Sequence, residues 1–235
     1  VINARHKCAP LYFLTDNCTI SHINLIFNIF MRTSTNMTKA RGRPREFDPQ
    51  LALQKAMPLF WQKGLSATSL DDLSSAMAMN RPSIYNAFGD KEAIYRKVLA
   101  QFCGQLSMAI ESALSQTPDI KQGLMKFYDL AVDLYCGTDP SLGCLMMCTA
   151  PVETAAHPEV RKDLETLIST VDDRLQQHLQ YAAQKGALKR GLDTELTAQL
   201  LQAVLHSLAL RARAGEADAN LREFARFSVQ TILQQ

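Results

Sequence analysis

No stretch of this chain is apolar for long enough to cross a bilayer as a helix. The nearest candidate, Ile20 to Met31 (ISHINLIFNIFM), is interrupted by His22, Asn24 and Asn28 and falls short of the roughly 20 apolar residues that a span needs. Polar and then basic residues follow it without a small-residue cleavage site, so it does not read as an export signal. Glycine and proline are sparse, ten and nine in 235 residues, which favours long helices over many short strands. No alternating pattern longer than four residues occurs, and no repeat period emerges. The six cysteines, at 8, 18, 103, 136, 144 and 148, share no spacing, and a chain of this size needs no disulfide staples. A reducing, cytoplasmic setting is expected. Catalytic signatures are missing as well: no glycine-rich phosphate loop, GxSxG, HExxH or CxxC occurs, and the five histidines stand apart. These absences argue against an enzyme and a membrane protein, and neither a cofactor nor a metal is expected.

What is present is unevenly distributed. Hydrophobic residues make up 47% and charged residues 20%, ordinary values for a chain that can bury a sizeable core. The formal net charge of +2 hides a division. Residues 1–36 carry +2, residues 37–100 carry +4 and residues 101–235 carry −4, so the middle block is the one suited to a polyanion. Residues 1–36 open on Val1, lack periodicity and are expected to be an extension without a role ahead of a natural start at Met37, the alternative being an accessory membrane-surface or oligomerising segment.

From Phe47 onward the helical period dominates. Ala52, Leu53, Ala56, Met57, Phe60 and Trp61 repeat at three and four behind Asp48-Pro49, a cap followed by a first-turn proline. That helix should end at Gly64, with a kink or opened turn at Pro58. Ser69 caps a short second helix to about Met77, and Asp71 and Asp72 fall where the helix dipole favours acids. A third helix spans about Arg81 to Phe88 and stops at Gly89; a fourth starts behind Asp90 and continues to about Ser115. Further helices are expected at about 120–136, a broken stretch at 142–156, then 158–185, 193–213 and 218–234. The fold class is all-α with about nine helices.

Three short helices, the second and third joined by a tight turn, form the arrangement that places a recognition helix in a major groove. The residues that carry it are Thr68-Ser69-Leu70-Asp71-Asp72-Leu73, then Ala76 through Phe88 with its Ile84-Tyr85-x-x-Phe88 core, then Gly89-Asp90-Lys91-Glu92. Over roughly 47–97 the chain closely resembles the helix-turn-helix of tetracycline-repressor-like (TetR family) regulators. It departs at the turn, where Ala78 stands in place of the usual glycine; an alanine there with positive φ costs about 1 kcal/mol. Thr68 and Ser69 lie at a helix N-terminus, as caps or as phosphate contacts. Asn80, Arg81, Pro82 and Ser83 form the leading end of the third helix, where Arg81 is placed either for guanine or for phosphate and Pro82 for a thymine methyl. By the resemblance, Tyr85, Asn86 and Lys91 face the DNA backbone. Ile84, Phe88 and Trp61 read as core.

Residues 37–46 form a basic arm. Its Arg41-Gly42-Arg43-Pro44 resembles an AT-hook core, so Arg41 and Arg43 either enter a minor groove or belong to a solvated basic tail. The resemblance also implies that residues 98–235 bind a small-molecule effector and dimerise, so that a homodimer meets a palindromic operator on double-stranded DNA as a repressor. The stripe Leu196, Leu200, Val204 and Leu208, and a second through Leu221, Phe224, Phe227 and Ile232, suit either a dimer face or an internal core. Phe127, Tyr128, Tyr135, Cys144 and Met147 are candidate ligand-lining residues, though such a stripe also fits plain core. Asp139-Pro140 followed by Gly143-Cys144-Leu145 resembles one branch of the family. Two alternatives remain: Cys144 and Cys148, with Cys136, as a thiol or soft-metal sensor, and a DNA-binding architectural protein without an effector.

Overall fold

The computed structural model describes residues 48–115 and 119–234. Among them are nine α-helices and no strand, arranged with a three-helix unit at the N-terminal end of a helical body. The expectations for the arm, including Arg41 and Arg43, and for residues 1–36 lie outside the described residues.

Helix α1 (Pro49–Lys63) begins where Asp48 accepts a hydrogen bond from the Gln50 amide at 2.8 Å, and it runs unbroken through Pro58. The proline leaves the carbonyl of Gln54 without its usual donor, and both residues lie on a half-exposed face. Helices α2 (Leu70–Met77) and α3 (Arg81–Phe88) follow as short pieces. Helix α4 (Lys91–Ser115), capped by Asp90 onto the Ala93 amide, starts among them and continues into the body. Its 25 residues span about 37 Å at 1.5 Å each. The boundary drawn from sequence at 97–98 therefore falls inside one continuous helix.

The body comprises α5 (Ile120–Cys136), a short α6 (Leu145–Thr149) with a 3₁₀ turn at Pro151–Glu153, α7 (Pro158–Gln184), α8 (Thr194–Arg213) and α9 (Asp218–Leu233). Aspartates cap two of these helices: Asp119 accepts from Lys121 at the start of α5, and Asp193 from Glu195 and Leu196 at the start of α8. Helix α8 packs against α5, α6, α7 and α9, so its Leu201, Leu205, Leu208 and Ala209 are sealed in the centre.

The three-helix unit is fastened to the body by side chains that fill shared core. Phe60 of α1 meets Tyr95 of α4 edge-on at 5.1 Å, and Trp61 meets Phe102 at 5.3 Å. Two buried hydroxyls find partners across this core, Tyr95 with Thr149 at 2.6 Å and Tyr128 with the Leu201 carbonyl at 2.7 Å. An orphaned hydroxyl at either site would cost about 1–3 kcal/mol.

Candidate nucleic-acid interface and effector cavity

The α2–α3 turn is locked by its own backbone. Ala78 sits in the left-handed region at φ 53°, alone among described non-glycine residues, while its neighbour Met79 donates to the Ser74 carbonyl at 3.1 Å and the Ser74 hydroxyl donates to Met79 in return. With the Ala78 amide donating to the Ser75 carbonyl at 3.3 Å, the Met79–Ser74 backbone bond closes the end of α2 with the pair that normally accompanies glycine. At the start of α2, Ser69 accepts from the Asp72 amide and donates its own amide to the Asp72 carboxylate, both at 3.0 Å. The Ser69 amide and hydroxyl, with Lys63, hold the Asp72 carboxyl below its usual range.

Helix α3 presents one polar face outward. Arg81, Pro82, Tyr85 and Asn86 are exposed, whereas Ile84 and Phe88 are buried, as the sequence predicts. Asn80 is exposed but engaged, because its carboxamide oxygen caps the Ser83 amide at 2.9 Å. Arg81 is also occupied: its Nε and Nη2 donate to Asp71 Oδ1 at 3.0 and 2.5 Å. A base or phosphate therefore competes with an exposed carboxylate for this guanidinium, an exchange that is cheap at high dielectric.

Two residues expected at phosphate make bonds within the chain. Thr68 is buried and its hydroxyl donates to the Gly64 carbonyl at 2.6 Å, which leaves Ser69 as the outward hydroxyl of the pair. Lys91 donates to the carbonyls of Ser66 and Thr68 at 3.2 and 2.8 Å, so it braces the loop that delivers α2. That same loop is gripped from the body. Ser66 donates its amide and hydroxyl to the two oxygens of Glu153, at 2.9 and 2.5 Å. Burial raises the Glu153 carboxyl, but these bonds and nearby His157 outweigh it and hold the group below its usual value. Arg96 joins Asp163 and Glu159 of α7 in a parallel tie.

A cavity of about 430 Å³ opens between the three-helix unit and the body. Met57 and Trp61 of α1, Phe102 and Leu106 of α4, and Phe127 and Leu134 of α5 form apolar walls, while Asp133, Asp218 and Arg222 stand at one end. Trp61 is thus both core and wall. Its indole N–H points away from the cavity, toward the carbonyls of Leu142 and Gly143 at 3.3 and 3.2 Å, and Arg213 clasps the Trp61 and Leu142 carbonyls at 3.1 Å each.

Residues 52–98 match the model for bacterial regulatory proteins of the tetR family, and residues 121–228 match a tetracyclin repressor-like C-terminal domain. The chain belongs to the tetR family. Among its relatives is the HTH-type transcriptional repressor ComR of Escherichia coli K12, 28% identical over 188 residues, covering 80% of this chain and 90% of ComR. The repressor BdcR of the same organism is 29% identical over 110 residues, 47% of this chain and 56% of BdcR. A solved cysteine mutant of the TetR family regulator CifR, in complex with 26-base-pair double-strand operator DNA, superposes with a TM-score of 0.74 at 28% identity, covering 80% of this chain and 98% of that one. This tetR-family chain is a DNA-binding transcriptional regulator.

The C-terminal residues singled out from sequence separate in this family member's fold. Phe127 lines the cavity; Tyr128, Tyr135, Cys144 and Met147 do not, and all but Met147 are fully buried in the core. Sequence reasoning missed Arg222 and its carboxylates as cavity residues. The i, i+4 pairs Asp129/Asp133 and Asp218/Arg222 were legible, but their meeting across α5 and α9 was not. On α8, Leu196 and Leu200 are exposed, whereas Val204 is nearly covered and Leu208 is sealed. A step of four residues advances about 40° around the helix, so the stripe winds from the surface into the core. On α9, Leu221 is likewise sealed and Phe224 is half-buried under the Arg211 guanidinium, while Phe227 is exposed. Burial raises every described thiol: Cys103 and Cys144 are pushed up to about 12, and Cys136 and Cys148 rise in the same direction. That is the reverse of what a reactive thiolate needs. Among the described residues no cluster of three or more histidine, cysteine or acidic side chains is placed to hold a metal, and no helix is long and apolar enough to cross a membrane.

Proposed function

We propose that this chain is a cytoplasmic, non-catalytic repressor that grips a palindromic operator as a homodimer and is released when a small molecule fills the cavity between α1, α4, α5 and α9. The supporting observation is the double duty of α1. It packs the recognition helix unit from one side and supplies Met57 and Trp61 to the cavity from the other. A ligand that pushes on Trp61 acts on the helix from which the DNA-reading unit hangs, and Glu153 on Ser66 provides a second lever at the entry to α2. Such a ligand loosens DNA only by binding the released arrangement more tightly than the gripping one.

In this reading residues 47–97 form the DNA-binding unit, whose α1 also walls the cavity, residues 37–46 an arm, and residues 98–235 the dimer unit and the rest of the effector site. Ser69, Arg81, Pro82, Ser83, Tyr85 and Asn86 meet the operator, with Asn80 setting the start of α3. The operator complex of CifR and the repressor names of ComR and BdcR support it. Selection of bound duplexes from a random pool tests it. A palindrome is expected, with affinity that falls steeply as salt rises because each of two copies displaces several counterions. A recovered site without dyad symmetry, or near-flat salt dependence, overturns the model.

A further inference from the structure

The cavity's two ends differ in a way that defines what enters it. The deep end is aromatic: Trp61, Phe102 and Phe127 are each nearly or fully buried. The other end reaches solvent at Asp133 and Asp218, whose side chains are 55% and 60% exposed. Arg222 lines the same end, but its guanidinium is committed. One Nη donates to the Asp129 side chain and carbonyl at 3.1 and 3.3 Å, the other donates to Asp133, and Nε faces Asp218 at 3.9 Å. Three carboxylates around one guanidinium leave the mouth at net −2. An incoming anion meets a guanidinium already held by Asp129 and Asp133 and a surplus of two negative charges. A cation meets attraction at the mouth and, further in, the negative faces of three aromatic rings.

We propose that the cavity takes an apolar, ring-sized molecule carrying one positive charge, its hydrocarbon body against Trp61, Phe102 and Phe127 and its cationic end at Asp133 and Asp218. The inference rests on the effector reading given above and names the chemical class of that effector. It also explains why Arg222 is surrounded: neutralising the guanidinium keeps hydrophobic anions out, and the surplus carboxylates select among apolar molecules by charge, a discrimination that apolar walls alone supply poorly.

The test uses the full chain and a matched set of probes with one carbon skeleton: 4-phenylbutyltrimethylammonium, 4-phenylbutanol and 4-phenylbutanoate. Trp61 is the one tryptophan of the sequence and lies in the cavity wall, so its emission reports occupancy directly. The cation is expected to saturate the Trp61 response at a concentration about tenfold below the anion, with the alcohol between, since partly exposed charges contribute modestly. Asp133→Asn combined with Asp218→Asn takes the mouth from −2 to neutral and should close that gap while the alcohol still binds, which shows the fold intact. Equal or tighter binding of the anion, a gap that survives the double substitution, or no response of Trp61 to any probe overturns the proposal. If the alcohol shifts Trp61 and releases operator but the cation gains nothing over it, the charge assignment fails while the effector reading stands.

Discussion

At the scale of single residues, the turn and the recognition helix carry the sharpest consequences. Ala78 occupies a left-handed conformation that its Cβ disfavours. Ala78→Gly should therefore stabilise the folded chain by about 0.5–1 kcal/mol, reduced slightly by glycine's greater freedom when unfolded; a raised thermal midpoint in calorimetry checks it. The turn stays intact without glycine because the bonds between Ser74 and Met79 hold it. Arg81 should behave differently from its neighbour Lys91. Arg81→Ala should relax base preference by about 1–3 kcal/mol where its contact is bidentate. Lys91→Ala should weaken all sequences alike, because it frees the loop that carries Ser69 rather than a base contact. Asp71→Asn should raise affinity for specific and random duplexes together, since it releases Arg81 and removes a negative charge from the DNA face. Titrations of each variant against both kinds of duplex separate these outcomes; an Asp71→Asn protein that binds DNA no better would mean that the ion pair imposes no cost on the free protein.

At the scale of elements, local signals and long-range meetings parted company. Every described helix except the short α6, which was read only as part of a broken stretch at 142–156, was legible to within a residue or two, and at several of them aspartate, serine and asparagine caps, first-turn prolines and closing glycines mark the ends in the sequence itself. The helix-turn-helix was legible for the same reason. The cavity was not: its walls come from four helices distant in sequence, and nothing local separates Phe127, which lines it, from Tyr128, which hydrogen-bonds into the core. Glu153 was equally hidden, as a 3₁₀ turn gives no hint that its carboxylate reaches back 87 positions to Ser66. The strap it forms should be sensitive to acid. A carboxyl held below its ordinary value of 4.5 stabilises the folded chain at any pH above that value, and the stabilisation is lost as falling pH protonates the folded form. Wild type should thus lose stability below about pH 4.5 more steeply than Glu153→Gln, and the variant should show weakened coupling between cavity occupancy and operator release at neutral pH. Parallel pH profiles of the two proteins, or release that is unchanged in the variant, would show that Ser66 is not a lever.

At the scale of the whole molecule, the surface that the chain leaves unfilled decides how it assembles. Leu196, Leu200 and Leu210 of α8 and Phe227 of α9 are 58%, 48%, 55% and 67% exposed, although they flank helices whose inner faces are sealed by Leu201, Leu208, Leu221 and Val229. The two helices are apolar on both sides, a pattern suited to packing against a second copy of themselves. Leu208 and Leu221 belong to the inner side, so substituting them should unfold the body rather than separate subunits. The informative change is on the outer side. Leu200→Glu with Phe227→Glu should leave the helical circular dichroism intact while sedimentation shows a single chain, because the charges burden only a surface that a partner would cover. The resulting monomer has one recognition helix and one set of phosphate contacts, so its operator affinity should collapse and the slope of log affinity against log salt should fall to about half. Dimers that persist at micromolar concentration would place the subunit interface elsewhere. A monomer that still reads a full palindrome with the original slope would show that the two half-sites are not shared between two chains.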